Sequence, residues 1–501
     1  MTTTRIDPTW LASDPYGSLV DGETRRAGPE HPVVDPSSGA VVATWAEATE
    51  DEADAALAAA RRTFDAGVWR RATLAARAEV LERVAQRLRD DTPRLAALEA
   101  LDTGKAVGGA VVYDCHEAAT AFAYAAGVAR DLHGDVRRAA FPPQLLPGGG
   151  PEVLTMRLRE PAGVVVELLP WNGPLMTGSQ RIAAALAAGC SLVVKPPEEA
   201  VVTVLELARI LHECGLPPGV CNVVLGPGET TGERLVGDPR VDLVSLTGGV
   251  DTGCRVMEVA ARNLTPVHLE LGGKSPVIVF ADADLDAAVN WATMAAFVNM
   301  GEVCVAGSRL LVEESVYDEV VRGVAGAAAH LPIGDALDPG TFIGPLVTAR
   351  HAQRVRGFVE RAVGAGDAEV AGGGSVPDGM PETFVAPTVL GRVRADAEVA
   401  QTEVFGPVLA AMPFRDEDEA VAIANGTRYG LNATVFTRDV ERAFRLVDRL
   451  VVGEVNVNCH FAPEMNGGRG EPRKASGFSR TGVEAYTALK AVNVQTAASR
   501  G

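Results

Sequence analysis

Residues 163–196, "GVVVELLPWNGPLMTGSQRIAAALAAGCSLVVKP", place an alanine-rich segment between two apolar runs. The runs at 163–172 and 190–196 are nearly continuous rather than alternating, which is typical of strands buried on both faces of a parallel sheet. The segment at 176–189 has the length and composition of a helix. This strand–helix–strand order predicts a βαβ unit and therefore an α/β fold.

The same alternation extends along most of the chain. It continues to about residue 273, and a second series runs from "SPVIVF" (275–280) to "DEDEAVAIANGTRYGLNATVFT" (416–437). Upstream, 49–132 is helical and begins with Thr49 and Glu52, a capping box. The sequence thus predicts two α/β parallel-sheet domains, leaving an excursion near 141–160 and a last strand, "ALKAVNVQT", for another purpose.

Composition excludes several classes of protein. The chain has 501 residues and a net charge of −19, which disfavours binding to nucleic acid or to an anionic membrane. It contains no apolar run of about twenty residues, and its first residues lack an apolar stretch, so we expect neither a membrane span nor a signal peptide. Seven dispersed cysteines without C-x-x-C spacing, and eight dispersed histidines, predict neither a disulfide framework nor a metal site. We expect a cytoplasmic protein with reduced thiols and no metal.

Polar residues follow several predicted strands, where open parallel sheets bind ligands. Asn172 follows the first strand, Lys195 and Glu198 follow the second, and "SLTGGVDTG" (245–253) offers a glycine turn before a helix. Neither this turn nor "GPGETTG" (226–232) has the G-x-G-x-x-G spacing, but together they favour a nucleotide-binding sheet. A turn-forming asparagine and solvated loop charges are the alternative interpretations.

Two further segments contain candidate catalytic residues. "LELGGKSP" (269–276) places Glu270 at a strand end, where the alternative is a structural ion pair. "NMGEVCVAGSR" (299–309) surrounds Cys304 with small residues, which suits close approach of another molecule to the sulfur. The alternative for Cys304 is a buried, inert thiol.

The motifs taken together resemble those of the aldehyde dehydrogenase superfamily. "PWN", "VVKPPEE", "LTGG", "LELGGKSP", "NMGEVCVAGSRL", "TEVFGPV", "YGLNATVF" and "KASG" occur in this order, and the similarity extends from "VVDPSSG" to "YTALKAV". The resemblance implies two Rossmann-like domains and a small β oligomerisation arm that joins a homodimer or homotetramer. The implied boundaries are 1–138 with 161–271 for NAD binding, 272–484 for catalysis, and 139–160 with 485–501 for the arm.

The resemblance also implies the chemistry. Cys304 would be the nucleophile, Glu270 the general base and Asn172 the amide that binds the oxyanion. The implied reaction is NAD-dependent oxidation of an aldehyde to a carboxylic acid through a cysteine thiohemiacetal and thioester. An acylating enzyme that uses coenzyme A is an alternative that Glu270 disfavours, because such relatives usually lack this base. A non-catalytic protein on the same scaffold is the third possibility.

The matching cofactor positions lie mostly at strand ends. The resemblance assigns cofactor contacts to Leu169, Pro170, Trp171, Lys195, Glu198, Thr247, Gly248, Gly249, Glu403 and Phe405. The Glu198 carboxylate would accept a ribose 2′-hydroxyl and repel a 2′-phosphate, so NAD is favoured over NADP. Gly249 replaces a serine that is usual in the family.

The substrate pocket departs from the family pattern. The matching positions are Gly173, Gln180, Val303, His460 and Phe461, and with the altered 460–480 loop they predict a wide, polar mouth. An anionic aldehyde would need a basic anchor, for which Arg181, Arg469 and Arg473 are candidates. Glu302 replaces a common glutamine; ionised and close to Cys304 it would raise the pKa of the thiol, and the alternative is that it points away.

Overall fold

The computed structural model describes residues 10–11, 13–140, 145, 152–461, 470–479 and 482–495. The strands are β1 (Ser18–Val20), β2 (Glu23–Arg25), β3 (Glu30–Val34), β4 (Val41–Ala46), β5 (Asp135–Ala140), β6 (Glu152–Pro161), β7 (Val164–Leu168), β8 (Ser191–Lys195), β9 (Cys221–Val223), β10 (Leu243–Gly248), β11 (Val267–Leu271), β12 (Pro276–Val279), β13 (Arg309–Glu313), β14 (Glu369–Gly373), β15 (Thr388–Gly391), β16 (Val408–Phe414), β17 (Tyr429–Gly430), β18 (Asn432–Phe436), β19 (Glu454–Val457), β20 (Arg473–Lys474), β21 (Gly477–Phe478) and β22 (Thr487–Gln495).

The α-helices alternate with these strands over most of the chain. They are α1 (Glu50–Ala66), α2 (Leu74–Asp90), α3 (Thr92–Thr103), α4 (Val107–Gly109), α5 (His116–Arg130), α6 (Pro174–Ala188), α7 (Val202–Glu213), α8 (Glu233–Val236), α9 (Val250–Ala260), α10 (Leu285–Phe297), α11 (Tyr317–Ala329), α12 (Ala349–Gly364), α13 (Glu398–Gln401), α14 (Glu417–Asn425) and α15 (Val440–Arg449). The capping box predicted at Thr49 is present at the start of α1.

The first large sheet has eight strands in the order β2-β1-β9-β8-β7-β10-β11-β21. Its strands β9, β8, β7, β10 and β11 are parallel, and β7 and β8 are buried at every residue. The βαβ unit predicted at 163–196 is therefore observed as β7, α6 and β8. Helix α6 starts at Pro174 and ends before Gly189, whose φ of 98° suits a helix C-terminus.

The strand order of this sheet reverses next to β7. The chain passes from β7 to β8 on one side, whereas β10 pairs with β7 on the other side. Open parallel sheets bind ligands outside the carboxyl ends of the strands at such a point. Trp171 and Asn172 follow β7, and Thr247 and Gly248 end β10, so the topology brings these predicted residues to one crevice.

The second large sheet has seven strands in the order β14-β15-β16-β13-β12-β18-β19. All its pairs are parallel except β14 with β15. Its core is a separate cluster of buried apolar residues that includes most of β12, β13, β16 and β18. The predicted α/β fold with two parallel sheets is thus confirmed.

A three-stranded antiparallel sheet, β22-β6-β5, contains the predicted last strand. β22 pairs with β6 along its whole length, from Thr487 opposite Pro161 to Gln495 opposite Val153. The late strand β21 instead joins the first sheet, where Gly477 pairs with Glu270 of β11. The domain boundaries remain a prediction, and much of the excursion at 141–151 lies outside the described residues.

No helix within the described ranges is both long and apolar enough to cross a membrane. No group of three or more histidine, cysteine, aspartate or glutamate side chains there could hold a metal ion.

Candidate active site

Cys304 lies on an irregular segment between α10 and β13. Before it, three consecutive residues have left-handed backbone angles: φ is 48° at Asn299, 53° at Met300 and 70° at Gly301. A Cβ on Gly301 would lie 2.3 Å from the carbonyl oxygen of Gly406, so a larger residue would displace this turn. Non-glycine residues in this region are uncommon and concentrate at functional sites. The turn leaves Cys304 partly exposed.

Asn172 contacts this segment directly. Its Nδ2 donates to the backbone carbonyl of Glu302 at 2.9 Å. Asn299 Nδ2 donates in turn to the carbonyls of Asn172 and Glu302, at 3.2 and 3.1 Å. A side-chain amide has two N–H groups, so this bond orients the amide of Asn172 and leaves its second N–H for another acceptor.

Glu270 reaches the same segment through the glycines that follow it. A Cβ on Gly273 would lie 2.5 Å from the carbonyl oxygen of Cys304, so the turn after Glu270 packs on the backbone of the cysteine. Arg181 Nη2 is 3.7 Å from Glu270 Oε1, and the two side chains are 16% and 18% exposed. Arg181, a candidate anchor for an anionic substrate, is thus paired with Glu270.

Lys195, which ends β8, and Glu198, which follows it, also lie at the crevice. Glu198 Oε1 accepts a hydrogen bond from the backbone N–H of Gly228 at 2.8 Å and lies 3.5 Å from Lys195 Nζ. Burial lowers the pKa of Lys195, whereas the side chain of Glu198 is 44% exposed. The predicted glycine turn at 226–232 therefore holds a carboxylate that remains accessible.

Glu403 and Phe405 form one wall of the crevice. Glu403 Oε1 accepts from the N–H of Gly273 at 2.9 Å, and burial raises the pKa of Glu403 to about 7. A Cβ on Gly272 would lie 2.0 Å from Glu403 Oε2, so only glycine allows this approach. The Phe405 ring lies edge-on to Trp171, with ring centroids 5.2 Å apart.

Helix α12 holds this wall from behind. His351 Nε2 lies 2.6 Å from the carbonyl oxygen of Phe405, and Arg354 donates to the carbonyls of Glu403 and Val404 at 2.9 and 2.7 Å. The His351 ring is also 5.2 Å from Trp171. Burial lowers the pKa of His351 to about 4, so its ring is neutral at neutral pH.

Several polar groups at the crevice fit a dinucleotide. Helix α9 starts immediately after Gly249, so its first N–H groups have no cap from that residue's side chain and favour an anion. Thr247 Oγ1 is buried and, within the described chain, has no hydrogen-bond partner. Leu169 bonds through its N–H to the carbonyl of Lys195 at 3.1 Å, which joins the ends of β7 and β8, and Pro170 follows it.

The substrate side of Asn172 borders a buried ion pair. A Cβ on Gly173 would lie 3.2 Å from Asp114 Oδ1 and 3.6 Å from Lys105 Nζ, and these two side chains are 2.5 Å apart. Gln180 lies on α6, and its Nε2 is buried with no hydrogen-bond partner among the residues described. Val303 lies beside Cys304 and is partly exposed. Buried polar groups therefore lie close to Gly173 and on α6, and the wide, polar mouth stays a prediction.

His460 and Phe461 occupy different environments. His460 is fully buried: Nδ1 is 2.8 Å from Thr434 Oγ1 and Nε2 is 3.1 Å from the carbonyl of Val305. Its ring therefore supports the segment after Cys304 rather than lining the pocket. Phe461 lies against Tyr113, with ring centroids 6.4 Å apart, and both rings are partly exposed. Of the altered 460–480 loop, residues 462–469, including Arg469, lie outside the described residues, and Arg473 is exposed on β20.

Three residues that position the site were not predicted from the sequence. They are Asn299, His351 and Ser476, whose Oγ donates to the carbonyl of Gly272 at 2.8 Å and accepts from the N–H of Gly430 at 3.0 Å. Asn299 had a usable signal, because it is a polar residue two positions before a glycine, just after an apolar helix. His351 and Ser476 come from distant elements and carry no local signal.

Comparisons with known proteins identify the chain's relatives. Residues 24–496 match the model of the aldehyde dehydrogenase family. The chain is 38% identical to betaine aldehyde dehydrogenase of Bacillus subtilis (strain 168), covering 95% of this chain and 96% of that one. It is also 38% identical to aldehyde dehydrogenase, cytosolic 1, of Rattus norvegicus, over 93% and 91% of the two chains.

Solved structures give the same result. A betaine aldehyde dehydrogenase from Staphylococcus aureus in complex with NAD+ superposes with a TM-score of 0.92 at 34% identity, covering 97% of this chain and 96% of that one. A putative aldehyde dehydrogenase from Burkholderia cenocepacia gives a TM-score of 0.90 at 41% identity, over 96% and 99% of the two chains.

The fold and the site together define an α/β oxidoreductase with an accessible thiol beside a nucleotide-type crevice. The chain belongs to the aldehyde dehydrogenase family, and the resemblance predicted from its motifs is confirmed.

Proposed function

We propose that this protein oxidises an aldehyde to a carboxylic acid with NAD+, through a thioester on Cys304. The observation that carries the proposal is the position of the Cys304 segment between two other candidate residues. Asn172 bonds to it on one side, and the glycine turn after Glu270 packs on it on the other. These contacts support a site in which a nucleophile, an oxyanion donor and a base act together, as acyl transfer requires.

The first step is addition of the Cys304 thiolate to the aldehyde carbon. The carbonyl oxygen becomes an oxyanion, which accepts the second N–H of the Asn172 amide. Because the first N–H is held by the carbonyl of Glu302, the donor is oriented before the substrate arrives. NAD+ supplies the acceptor for the hydride that leaves the substrate carbon.

The second step is hydrolysis of the thioester. Glu270 takes a proton from a water molecule, which attacks the acyl carbon, and the thiolate of Cys304 leaves. Arg181 Nη2 lies 3.7 Å from Glu270 Oε1 and helps to fix the position of this carboxyl group. The presence of Glu270 supports release of a free acid rather than transfer to coenzyme A.

The cofactor would be held by residues at the strand ends and the wall of the crevice, namely Leu169, Pro170, Trp171, Lys195, Glu198, Thr247, Gly248, Gly249, Glu403 and Phe405. The accessible carboxylate of Glu198 suits a ribose 2′-hydroxyl and repels a 2′-phosphate, which supports NAD+ over NADP+. The structural relative from Staphylococcus aureus was solved in complex with NAD+, in line with this preference.

The test is NADH formation with aliphatic, aromatic, amino- and semialdehydes, using wild type, Cys304→Ala and Glu270→Gln. We expect turnover by wild type only, with one burst of NADH from E270Q because its thioester is not hydrolysed. Coenzyme A should not increase product formation. Equal steady-state rates for C304A and wild type would refute the proposal.

Thiol labelling provides a second readout. Cys254 is exposed, so a Cys254→Ser background removes a competing reaction. In that background, Cys304 should react fastest with iodoacetamide and be protected by aldehyde together with NAD+.

The predicted substrate mouth has its own test. A bulky aldehyde should outcompete propanal in turnover if the mouth around Gly173, Gln180, Val303 and Phe461 is wide and polar. A preference for propanal would refute the prediction of a wide, polar mouth.

We also propose a cytoplasmic homodimer or homotetramer assembled through the three-stranded sheet. β22 is an edge strand, and Leu158, Leu489 and Val494 on this sheet are exposed at 43%, 54% and 43%. A strand with one unpaired edge and exposed apolar side chains is suited to pairing with another chain. Light scattering after gel filtration should show an oligomer that Leu489→Lys weakens.

A further inference from the structure

Glu302 is an acidic side chain with 1% exposure, two residues before Cys304. Its main chain and its side chain contact different parts of the site. The carbonyl oxygen accepts from Asn172 Nδ2 and Asn299 Nδ2, whereas the carboxyl group extends toward the segment before α12. Glu302 therefore lies between the oxyanion donor and a distant part of the chain.

The carboxyl group has few partners. Its Oε1 accepts from the N–H of Val347 at 3.3 Å, and His351 Nε2 is 3.7 Å away, too far for a hydrogen bond. His351 Nε2 is already 2.6 Å from the carbonyl of Phe405. Lys105 acts on the carboxyl group only by a longer-range electrostatic attraction.

Such surroundings do not hold a charge. An ionised carboxylate removed from water needs a close cation or several hydrogen bonds, and Glu302 has one long bond. Burial accordingly raises the pKa of Glu302 well above its ordinary value. An uncharged carboxyl group does not repel the thiolate of Cys304. In this form Glu302 would therefore not slow attack by the thiolate, as an ionised Glu302 close to Cys304 would.

We propose that Glu302, in its uncharged form, is a positioning residue that anchors the nucleophile segment on Val347 so that its own carbonyl oxygen orients the Asn172 amide. The turn it anchors contains three left-handed residues in succession and needs an external tether to keep that shape. The inference rests on the proposed function, because it concerns the acylation step of that reaction.

The test compares Glu302→Gln, which keeps an uncharged acceptor, with Glu302→Leu, which removes it. We expect the rate of the NADH burst to fall by about 10- to 100-fold in E302L, because small misplacements of a reacting group have effects of this size. E302Q should restore the burst to within about threefold of wild type. Glu52→Leu, at a buried acid of the α1 capping box, is the control for stability alone and should leave the burst unchanged.

A double-mutant cycle separates positioning from a general structural effect. If Glu302 acts through Asn172, E302L should lower the burst by at most about threefold in an Asn172→Ala background. Fully additive losses would overturn the proposal. A wild-type enzyme without a burst would instead refute the proposed function, so the two failures are distinguishable.

If E302L does not fold, the proposal is tested by the pH midpoint for alkylation of Cys304, compared between E302Q and wild type. An uncharged Glu302 predicts the same midpoint as wild type, because neither side chain carries a charge near the thiol. The titratable groups near the Glu302 carboxyl are Lys105 and His351, and both are unchanged in this variant. A midpoint lowered by about one unit would show that Glu302 is ionised and would overturn the proposal.

Discussion

Gly272→Ala should weaken NAD+ binding, because Gly272 allows Glu403 to approach the turn after Glu270. A Cβ at this position would lie 2.0 Å from Oε2, 2.5 Å from Cδ and 2.6 Å from Oε1 of Glu403. Ordinary van der Waals contact begins at 3.4 Å, so the carboxyl group must move away by more than 1 Å. The 2.9 Å bond from the N–H of Gly273 is then lost.

The size of the effect follows from the hydrogen bond that the Glu403 carboxylate would make to bound NAD+ and that its displacement would remove. A hydrogen bond to a charged group contributes about 1.5–3 kcal/mol. Because each 1.4 kcal/mol is a factor of ten, the displaced carboxylate should lower NAD+ affinity by about 10- to 150-fold. The measurement belongs near pH 8, because the pKa of Glu403 is raised to about 7 and the ionised form must be compared.

The assay is titration calorimetry with NAD+, accompanied by a thermal melt to confirm folding. Gly326→Ala is the matched control, since this glycine is on the exposed face of α11 and a Cβ there meets nothing within 4 Å. G326A should bind NAD+ as wild type does. A folded G272A that binds NAD+ within twofold of wild type would refute the assignment of Glu403 to the cofactor site.

Three further predictions concern the donor, a buried histidine and a buried arginine. Asn172→Ala should slow the NADH burst by about 100- to 1,000-fold, the usual cost of one oxyanion donor, and an unchanged burst would exclude that role. Burial lowers the pKa of His460 from 6.5 to about 4 in the folded protein. Between these pH values the unfolded chain therefore binds more protons than the folded one. The free energy of unfolding should fall by up to about 3 kcal/mol as pH drops from 6.5 to 4. The stability difference between wild type and His460→Gln in urea should therefore narrow from pH 7 to pH 4.5; a constant difference would contradict the buried neutral ring. Arg309→Met should lower the free energy of unfolding by about 3 kcal/mol, because Arg309 donates to the carbonyls of Lys274, Ile423 and Ala424. A urea midpoint equal to that of wild type would show that these bonds are dispensable.

The sequence was sufficient for the elements that depend on local patterns. The two apolar runs at 163–172 and 190–196 became β7 and β8, because continuous apolar residues require burial on both faces of a sheet. The capping box at Thr49 depends on a spacing of three residues and was equally predictable. The motif resemblance gave the family because it spans nearly the whole chain.

Contacts between distant segments were less accessible from the sequence. Nothing near Arg181 indicates that it faces Glu270, and nothing near His351 indicates that it supports Phe405. The burial of His460 likewise depends on Thr434 and Val305, which belong to other elements. Such placements follow from how the sheets and α12 pack, and sequence spacing along one element does not contain them.

The pairing of β21 with β11 has a consequence for the order of biosynthesis. Glu270 lies opposite Gly477, and Val483, Ala485 and Tyr486 complete the core beneath the first sheet. A ribosome makes the chain from its N-terminus, so the strand that contains Glu270 keeps an open edge until β21 has emerged. The nascent polypeptide thus contains Cys304 before Glu270 has its final neighbours, and the surroundings of Glu270 are completed only once Gly477 pairs with it.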